Sequence, residues 1–389
     1  MRLHEFQAKR LLAEYGLPIP RGSVALTADE AEAVARDLGT SPIAVKAQIL
    51  AGERLAAGGV RMAHGPAMAR AAAAAMLGQR IVTPQTGDQG EVARRVYVEE
   101  GVAVERQIYL ALLVDASGTL VAFGSSKGGD GVEELKRRGE FPAERLELSV
   151  SHAPAPEAMA AFVSALGLNG RVAEEGARLV DGLRRAFVEL DAGLIEINPL
   201  AVTAAGDLKA LDVKMTIDDA ALFRQPDIAS LRDEGEGDRV KLSAHRDQLN
   251  FVQLDGDIGL VSNGAGLGLA TLDMVRAAGG RPANFMDIRT TAKSLDIAHG
   301  FALLLDNPKL RTMLINVHGG GMQSCDTIAE GLGVALRRSG RKLPIVVRLA
   351  GLNADLGRYR LASFGCDVID TADMGEAATR AVAVAAGRA

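Results

Sequence analysis

Polar side chains alternate with apolar ones along residues 194–200, which read Leu-Ile-Glu-Ile-Asn-Pro-Leu. Successive side chains of a β-strand point to opposite faces, so Glu196 and Asn198 share one face of this predicted strand. The turn sequence Ala-Ala-Gly-Asp follows and predicts a hairpin that returns Asp212 and Lys214 close to Asn198. Two carboxylates and an amide are hard oxygen ligands of the kind that bind Mg²⁺. An ordinary half-buried hairpin with its charges in water is the alternative interpretation.

One lysine interrupts the otherwise apolar predicted strand at residues 43–47. A buried ammonium is costly unless it reaches an anion or a cleft, so Lys46 predicts such a contact. The next loop, residues 51–60, is rich in glycine and carries Arg54, and the backbone N–H groups of such a loop can surround phosphates. It is not a Walker A loop, because it lacks the Gly-Lys-Ser/Thr triplet. A flexible surface loop is the alternative.

Predicted strands and helices alternate from residue 258 onward. Repeated βα units predict an α/β domain with a parallel, doubly wound sheet, whose ligands bind beyond the carboxyl ends of the strands. Two glycine loops fall there, at residues 263–268 and 318–321. The first lacks the spacing of a dinucleotide fingerprint, because Leu269 stands where glycine or alanine is required. Each loop precedes a predicted helix N-terminus, so a phosphate or carboxylate site is expected, with tight turns and no ligand as the alternative.

The composition describes a globular protein of two or three domains, since the 389 residues are 48% hydrophobic and 24% charged. A polar run at residues 225–239 predicts a boundary between domains at residues 1–235 and 240–389. The net charge of −5 and the lack of Trp argue against a nucleic-acid partner. Two distant cysteines exclude a disulfide framework. No signal peptide or bilayer-length apolar stretch is evident, so a cytoplasmic location without a membrane partner is expected.

Several motifs, in order along nearly the whole chain, resemble the β subunits of succinyl-CoA synthetase and of its close relative malate-CoA ligase. These motifs are Leu3-His4-Glu5, Val45-Lys46-Ala47-Gln48, Val98-Glu99, residues 194–200, Ala221-Leu222-Phe223-Arg224-Gln225-Pro226, residues 263–267, Pro282-Ala283-Asn284-Phe285-Met286-Asp287 and Arg348-Leu349-Ala350-Gly351. The resemblance implies an N-terminal ATP-grasp domain that binds nucleotide and Mg²⁺. It also implies a flavodoxin-like C-terminal domain that contacts an α subunit.

The implied activity is that of an acid–CoA ligase active only with its α subunit. Such a ligase joins a small carboxylic acid, of the succinate or malate type, to CoA with ATP or GTP, and releases the nucleoside diphosphate and phosphate. The implied intermediates are an acyl phosphate and a phosphohistidine on the α subunit, which also carries the CoA site.

The resemblance also implies a role for each residue that matches a family site. Lys46 and Arg54 would face the nucleotide phosphates, Glu99 and Val102 the base, Gln107 the ribose, Asn198 and Asp212 the Mg²⁺, Glu196 the phosphohistidine as the catalytic carboxylate, and Asn263, Gly320, Gly321 and Met322 the acid or phosphate. Asn198 and Asp212 are therefore expected to bind Mg²⁺ both from the predicted hairpin and from the resemblance.

Three stretches depart from the family pattern. Where the family usually has Gly-Arg-Gly-Lys, this chain has Glu53-Arg54-Leu55-Ala56, and a carboxylate beside the phosphates weakens the expected nucleotide binding by repulsion. Gln107 replaces a glutamate, although an amide also hydrogen-bonds hydroxyls. Arg289-Thr290-Thr291 replaces three glycines, and a guanidinium suits a carboxylate or another oxyanion. We therefore hypothesise an acid other than succinate.

Two other functions are alternatives. The altered loop at residues 53–56 is compatible with a non-catalytic or regulatory assembly subunit whose nucleotide site has degenerated. A self-contained ATP-grasp carboxylate–amine ligase is the second alternative. It would need a second grasp-like half, and the sequence has the long βα domain in that place.

Overall fold

The computed structural model describes residues 1–88, 90–233, 249–320 and 323–387. The chain divides into two compact units, Met1–Glu236 and Gly237–Ala389. The division lies within residues 234–248, outside the described residues, and so does part of the boundary region predicted from the sequence. Within the described ranges, no helix is both long enough and apolar enough to cross a membrane.

The first unit is a mixed α/β structure. Its elements are β1 (Arg2–Leu3), α1 (Glu5–Ala13), β2 (Gly22–Ala25), α2 (Ala28–Leu38), β3 (Ile43–Ala47), β4 (Val60–Ala63), α3 (Pro66–Met76), β5 (Arg80–Ile81), β6 (Glu91–Val92), β7 (Val96–Glu100), β8 (Val104–Val114), β9 (Leu120–Ser125), α4 (Val132–Arg138), β10 (Glu144–Glu147), α5 (Pro156–Ala165), α6 (Arg171–Glu189), β11 (Ala192–Thr203), β12 (Leu208–Ala210), β13 (Val213–Ile217), a 3₁₀ helix (Asp219–Arg224) and α7 (Pro226–Ser230).

The strands of this unit form two large antiparallel sheets and the small antiparallel pair β5-β6. The larger has the order β1-β13-β11-β8-β9-β10, with β12 paired to β11, and the smaller has the order β2-β7-β3-β4. Helices α1, α5 and α6 pack on the larger sheet, where Leu12, Phe162 and Leu183 belong to one apolar core. Helices α2 and α3 cover the smaller sheet through their alanines. Each sheet therefore has its own core, and each keeps another face for polar side chains.

The predicted hairpin forms between β11 and β12, with Leu200 opposite Ala210 and Val202 opposite Leu208. Ile195 and Ile197 on β11 are fully buried, whereas the alternating residues Glu196 and Asn198 are only partly covered. This alternation arises because the apolar residues face the α6 side of the sheet. The polar face is thereby left open for the site residues.

The second unit is a doubly wound sheet. Its elements are β14 (Leu249–Gln253), β15 (Ile258–Ser262), α8 (Ala265–Ala277), β16 (Asn284–Ile288), α9 (Ser294–Leu305), β17 (Thr312–Gly319), α10 (Cys325–Ser339), β18 (Ile345–Gly351), α11 (Ala354–Ser363), β19 (Val368–Asp370) and α12 (Met374–Ala385).

The strand order is β14-β16-β15-β17-β18-β19, and the five strands from β15 to β19 are parallel in the flavodoxin-like order 2-1-3-4-5. Helices α8 and α12 cover one face, and α9, α10 and α11 cover the other. Strand β14, absent from the sequence-based prediction, pairs antiparallel to β16 at the edge. The sheet is therefore mixed, although the edge at which a ligand was predicted is still the carboxyl end of parallel strands.

Both predicted glycine loops of this unit are shorter than expected. Helix α8 already begins at Ala265, so only Asn263 and Gly264 of the first loop lie outside regular structure. Strand β17 runs on through His318 and Gly319. The predicted loop positions were therefore partly wrong, because both elements extend further toward the carboxyl edge of the sheet.

Candidate nucleotide and acid sites

Lys46 ends in a cluster of buried charges. Lys46 lies on β3 and is only 6% exposed. Its Nζ lies 3.0 Å from a carboxylate oxygen of Glu5 and 2.5 Å from a carboxylate oxygen of Glu99. Nζ also donates to the carbonyl oxygen of Leu211. Burial alone lowers the pKa of this ammonium, but Glu5, Glu99 and Asp212 outweigh burial and raise it. Lys46 therefore stays charged.

Arg54 joins the same cluster from the glycine loop. Its guanidinium donates to Glu5 and to Asp212, each at 2.6 Å, and to the carbonyl oxygen of Ala47 at 2.8 Å. The residue is only 5% exposed. The loop is therefore anchored at this position, with a planar cation held between two carboxylates.

Glu5 and Lys9 are members of the cluster that we did not assign from the sequence. Glu5 opens α1, and Lys9 follows one turn later with Nζ 2.8 Å from Glu5 and 2.6 Å from Glu99. Burial raises the pKa of Glu5, but Lys46, Lys9 and Arg54 together hold it well below the ordinary value of 4.5. The cluster therefore balances the cations of Lys9, Lys46 and Arg54 with the carboxylates of Glu5, Glu99 and Asp212.

Asn198 and Asp212 lie at the open end of the β11–β12 hairpin, away from its turn. The backbone N–H of Asn198 donates to the carbonyl oxygen of Asp212 at 3.1 Å, so the two residues are adjacent. Oδ1 of Asn198 accepts from the N–H of Gly129 at 2.6 Å, and Oδ1 of Asp212 accepts from Arg54. Each side-chain oxygen group keeps further lone pairs, and the Asp212 side chain is 40% exposed.

These two donors fit Mg²⁺, which typically takes one or two protein oxygens and completes its shell with water and phosphate. In the residues that the structure describes, no group of three or more His, Cys, Asp or Glu side chains is arranged to hold a metal ion. The pair of Asn198 and Asp212 is therefore suited to a metal that arrives with a phosphate ligand, and not to a closed structural site.

The loop between β9 and α4 covers this region. Gly129 has a φ of +82°, and a Cβ at this position would lie 1.5 Å from Oε1 of Gln107. The same glycine contacts the side chain of Asn198, so the loop brings together Gln107 and Asn198. Val102 is half-buried in the connection between β7 and β8.

The carboxylate of Glu196 is surrounded by one tyrosine hydroxyl and two lysine ammonium groups. The hydroxyl of Tyr109 donates to it at 3.0 Å, Nζ of Lys214 donates at 3.2 Å, and Nζ of Lys136 lies 3.7 Å away. Burial raises the pKa of this carboxyl, but Lys214 and Lys136 outweigh burial and lower it. Glu196 is therefore ionised at neutral pH. Tyr109 and Lys136 were not assigned from the sequence, since nothing local ties them to Glu196.

In the second unit, Asn263 connects the ends of two neighbouring strands. Its Oδ1 accepts from the N–H of His318 at 2.9 Å, and its Nδ2 donates to the His318 carbonyl oxygen at 2.8 Å. Gly320 pairs with Gln323 through two backbone hydrogen bonds. Gly321 and Met322, which the sequence predicted to bind acid or phosphate, lie outside the described residues.

Arg289 is fixed at the same sheet edge. Its guanidinium donates to Oδ1 of Asn250 on β14 at 3.1 and 3.3 Å. Asn250 in turn donates to Asp287, whose other carboxylate oxygen accepts from the N–H of Gly264 at 2.6 Å. This chain of contacts holds the half-buried guanidinium near the N-terminus of α8.

Known families and proteins match this architecture. Residues 2–202 match the family described as ATP-grasp domain, and residues 261–385 match the family described as CoA-ligase. Among curated proteins, the succinate–CoA ligase [ADP-forming] subunit beta of Anaeromyxobacter dehalogenans (strain 2CP-C) is 42% identical over 386 residues, covering 99% of each chain. The subunit of the same name from Paracoccus denitrificans (strain Pd 1222) is 41% identical over 402 residues, covering 100% of each.

Among solved structures, ATP citrate lyase from Methanothrix soehngenii, in complex with citrate and coenzyme A, superposes with a TM-score of 0.72. The comparison covers 99% of each chain at 19% sequence identity, so it supports the fold alone. The identities above 40% along the full chain, together with the two domain matches, decide the family. The chain belongs to the β subunits of the ADP-forming succinate–CoA ligases, with an ATP-grasp domain followed by a CoA-ligase domain.

Proposed function

We propose that this chain is the nucleotide-binding β subunit of an acid–CoA ligase that works only with an α subunit. The reaction joins a carboxylic acid, CoA and ATP and yields acyl-CoA, ADP and phosphate, through an acyl phosphate and a phosphohistidine on the α subunit. The observation that carries the proposal is that Arg54 bonds the carboxylate of Asp212 while Lys46 bonds the carbonyl oxygen of Leu211, the residue before it. Cations and a metal-binding carboxylate at one point are what a bound triphosphate requires.

Within the proposed nucleotide site, we assign the roles that the family resemblance implies. Lys46 and Arg54 bind the phosphates, while Glu99, Val102 and Gln107 line the nucleoside. Asn198 and Asp212 hold Mg²⁺, which supplies positive charge to the phosphates when it is bound. Glu5 and Glu99 hold the two cations in place before nucleotide binds, so the phosphates compete with carboxylates for the same donors.

The acid site in this proposal lies at the carboxyl edge of the second sheet. Asn263, Gly320, Gly321 and Met322 bind the acid or phosphate, and Arg289 adds a cation. The fixed guanidinium of Arg289 can bind a second carboxylate of the acid. Because this cation stands where the family has glycine, we propose that the acid differs from succinate, and malate, a dicarboxylate with an added hydroxyl, is one candidate.

A coupled assay of this chain co-purified with its α partner tests the function. Succinate, malate, citrate and sulfonated acids would each be supplied with ATP and with GTP, and CoA thioester formation would be followed. We expect turnover with one acid in the complex and none with the isolated chain. Acyl-CoA formation by the isolated chain would contradict the subunit assignment, and silence of the complex with every acid would contradict the ligase.

Glu53 is the residue whose replacement is expected to improve nucleotide binding. Its φ is +59°, a conformation that costs a non-glycine residue about 1–2 kcal/mol, and its carboxylate adjoins Arg54 in sequence. Glu53→Gly removes both the strain and the repulsion, so Mg-ATP should bind several-fold more tightly, as measured by calorimetry. Asp191→Gly is the matched control, since it relieves the same kind of backbone strain at φ +53°. The carboxylate that it removes is bonded to Arg224 and Gln225 and not beside the phosphates, so the affinity of this variant for Mg-ATP should stay at the parental value. Equal ATP affinity in Glu53→Gly and the parent would contradict the repulsion.

A further inference from the structure

Lys214 lies between the glycine loop and Glu196. It sits on β13 directly opposite Glu196 of β11, and its Nζ donates to that carboxylate at 3.2 Å. On the other side, Nζ is 2.9 Å from the position that a Cβ on Gly52 would occupy. Gly52 precedes Arg54 by two residues, so the ammonium borders the loop that carries the phosphate-binding guanidinium.

The ammonium of Lys214 has free hydrogen-bonding capacity. Glu196 takes one of its three N–H donors, and over the described ranges no other acceptor bonds to the remaining two. The side chain is 37% exposed, whereas Lys46 is 8% exposed and fully bonded to carboxylates and a carbonyl. Among these lysines, Lys214 is therefore the one that can accept a new anion without breaking a buried ion pair.

Glu196 is held by a separate pair of residues. Tyr109 donates to Oε2, and Nζ of Lys136 lies 3.1 Å from the Tyr109 hydroxyl and 4.3 Å from its ring centroid. Lys136 is itself neutralised by Glu133 at 3.0 Å. This arrangement orients Glu196 from one side and leaves Lys214 on the side of the glycine loop.

Resting on the function proposed above, we infer that Lys214 is a further catalytic residue that binds the phosphoryl group while it moves between the nucleotide and the acceptor imidazole. In this step the bond from the γ-phosphorus to the β,γ-bridging oxygen breaks, and its electron pair stays on the diphosphate. A lone pair of the neutral imidazole nitrogen forms the new P–N bond. The ammonium transfers no proton and stabilises the spreading negative charge with its two free N–H groups.

The test uses the complete complex with its α partner and the variants Lys214→Met and Lys214→Arg. Phosphorylation of the α subunit by γ-labelled ATP is followed in a single turnover, alongside the affinity for Mg-ATP. Lys214→Met should slow phosphorylation about 10²–10³-fold, as loss of one charge-stabilising donor does, and change the affinity for ATP far less. Lys214→Arg should restore part of the rate, since it keeps the charge.

A second half-reaction separates catalysis from folding. Complex phosphorylated beforehand is supplied with acid and CoA, and the rate of acyl-CoA formation should be unchanged in Lys214→Met. Lys209→Met serves as the matched control, because Lys209 lies on β12 and its one hydrogen bond among the described residues, to the carbonyl oxygen of Ile19 at 3.4 Å, is remote from Glu196. Phosphorylation at the parental rate in Lys214→Met, or an equal loss in both half-reactions, would overturn the role of Lys214. Absence of phosphorylation in the parent complex would overturn the proposed function as well.

Discussion

Replacing Glu5 with glutamine will lower the free energy of unfolding by about 3–5 kcal/mol, the usual cost of removing one partner from a buried ion pair. The side chain of Glu5 is 2% exposed, and its carboxylate contacts Lys9 at 2.8 Å, Lys46 at 3.0 Å and Arg54 at 2.6 Å. Glutamine keeps the shape but leaves three cations beside the two remaining carboxylates. Urea unfolding of the purified chain measures the change.

The matched control is Glu32→Gln. Glu32 also bonds an arginine, Arg36, at 2.9 Å, but that guanidinium is 66% exposed and the pair lies on the surface of α2. Exposed i,i+4 pairs contribute about 0.3–0.5 kcal/mol, so this variant should unfold almost as the parent does. Equal losses in the two variants would contradict the stabilising role of the buried cluster.

The stability contributed by Glu5 should depend on pH in a defined direction. Its pKa in the folded state lies well below the ordinary 4.5, so the unfolded chain takes up the proton first as the pH falls. The contribution is complete above the ordinary pKa and is lost as the pH falls toward the lowered one. Between pH 7 and pH 3, the gap between the parent and Glu5→Gln should therefore narrow. A constant gap would contradict ionisation of Glu5 in the folded state.

Replacing Glu196 with glutamine will lower turnover of the complex by about 10²–10³-fold, the range found when one charged or hydrogen-bonding group is removed from a transition state. The neutral amide keeps the shape of the side chain but no longer attracts Lys214, Lys136 or an incoming imidazole. Steady-state assays give kcat, and calorimetry should show Mg-ATP bound as tightly as in the parent, since Glu196 lies outside the cluster of Lys46 and Arg54.

Glu133→Gln is the control for this second prediction. Glu133 bonds the same Lys136 at 3.0 Å, yet its side chain is 37% exposed and no hydrogen bond joins it to Glu196 within the described residues. Exposed pairs contribute about 0–1 kcal/mol, so turnover should change by no more than about fivefold. A Glu196→Gln complex as active as the Glu133→Gln complex would exclude Glu196 from catalysis.

Local sequence signals were sufficient to predict the strand that carries Glu196 and the hairpin that follows it. Alternation with period two and turn residues act over a few positions, so they predicted the face shared by Glu196 and Asn198. Helix α9, Ser294–Leu305, likewise belongs to the alternation of strands and helices predicted from residue 258 onward. The ATP-grasp and CoA-ligase domains were also recognised from the sequence, because their motifs occur in a specific order along the chain.

Other features failed because their signals are weak or are overridden by packing. Edge strand β14 is half-buried or exposed over most of its length, so it has little apolar periodicity. Helix α8 begins within a glycine run that favours a loop. Gly268 is nevertheless helical, despite the low helix propensity of glycine. A Cβ there would lie 2.6 Å from Ser262 Oγ and 2.7 Å from the Phe285 ring, so only glycine permits this close approach of helix and strands.

The sequence by itself therefore determined the family, the domain types and the strand that presents Glu196 and Asn198. Only the tertiary structure decided which charges meet. Lys46 and Glu5 are 41 positions apart, Lys9 and Glu99 are 90, and Arg54 and Asp212 are 158. From local sequence alone, a glutamate in the first turn of a helix is predicted to be solvent-exposed and to interact with the helix N-terminus. Glu5 is buried among three cations only because the fold brings α1 with Lys9, strand β3 with Lys46 and the glycine loop with Arg54 to one place.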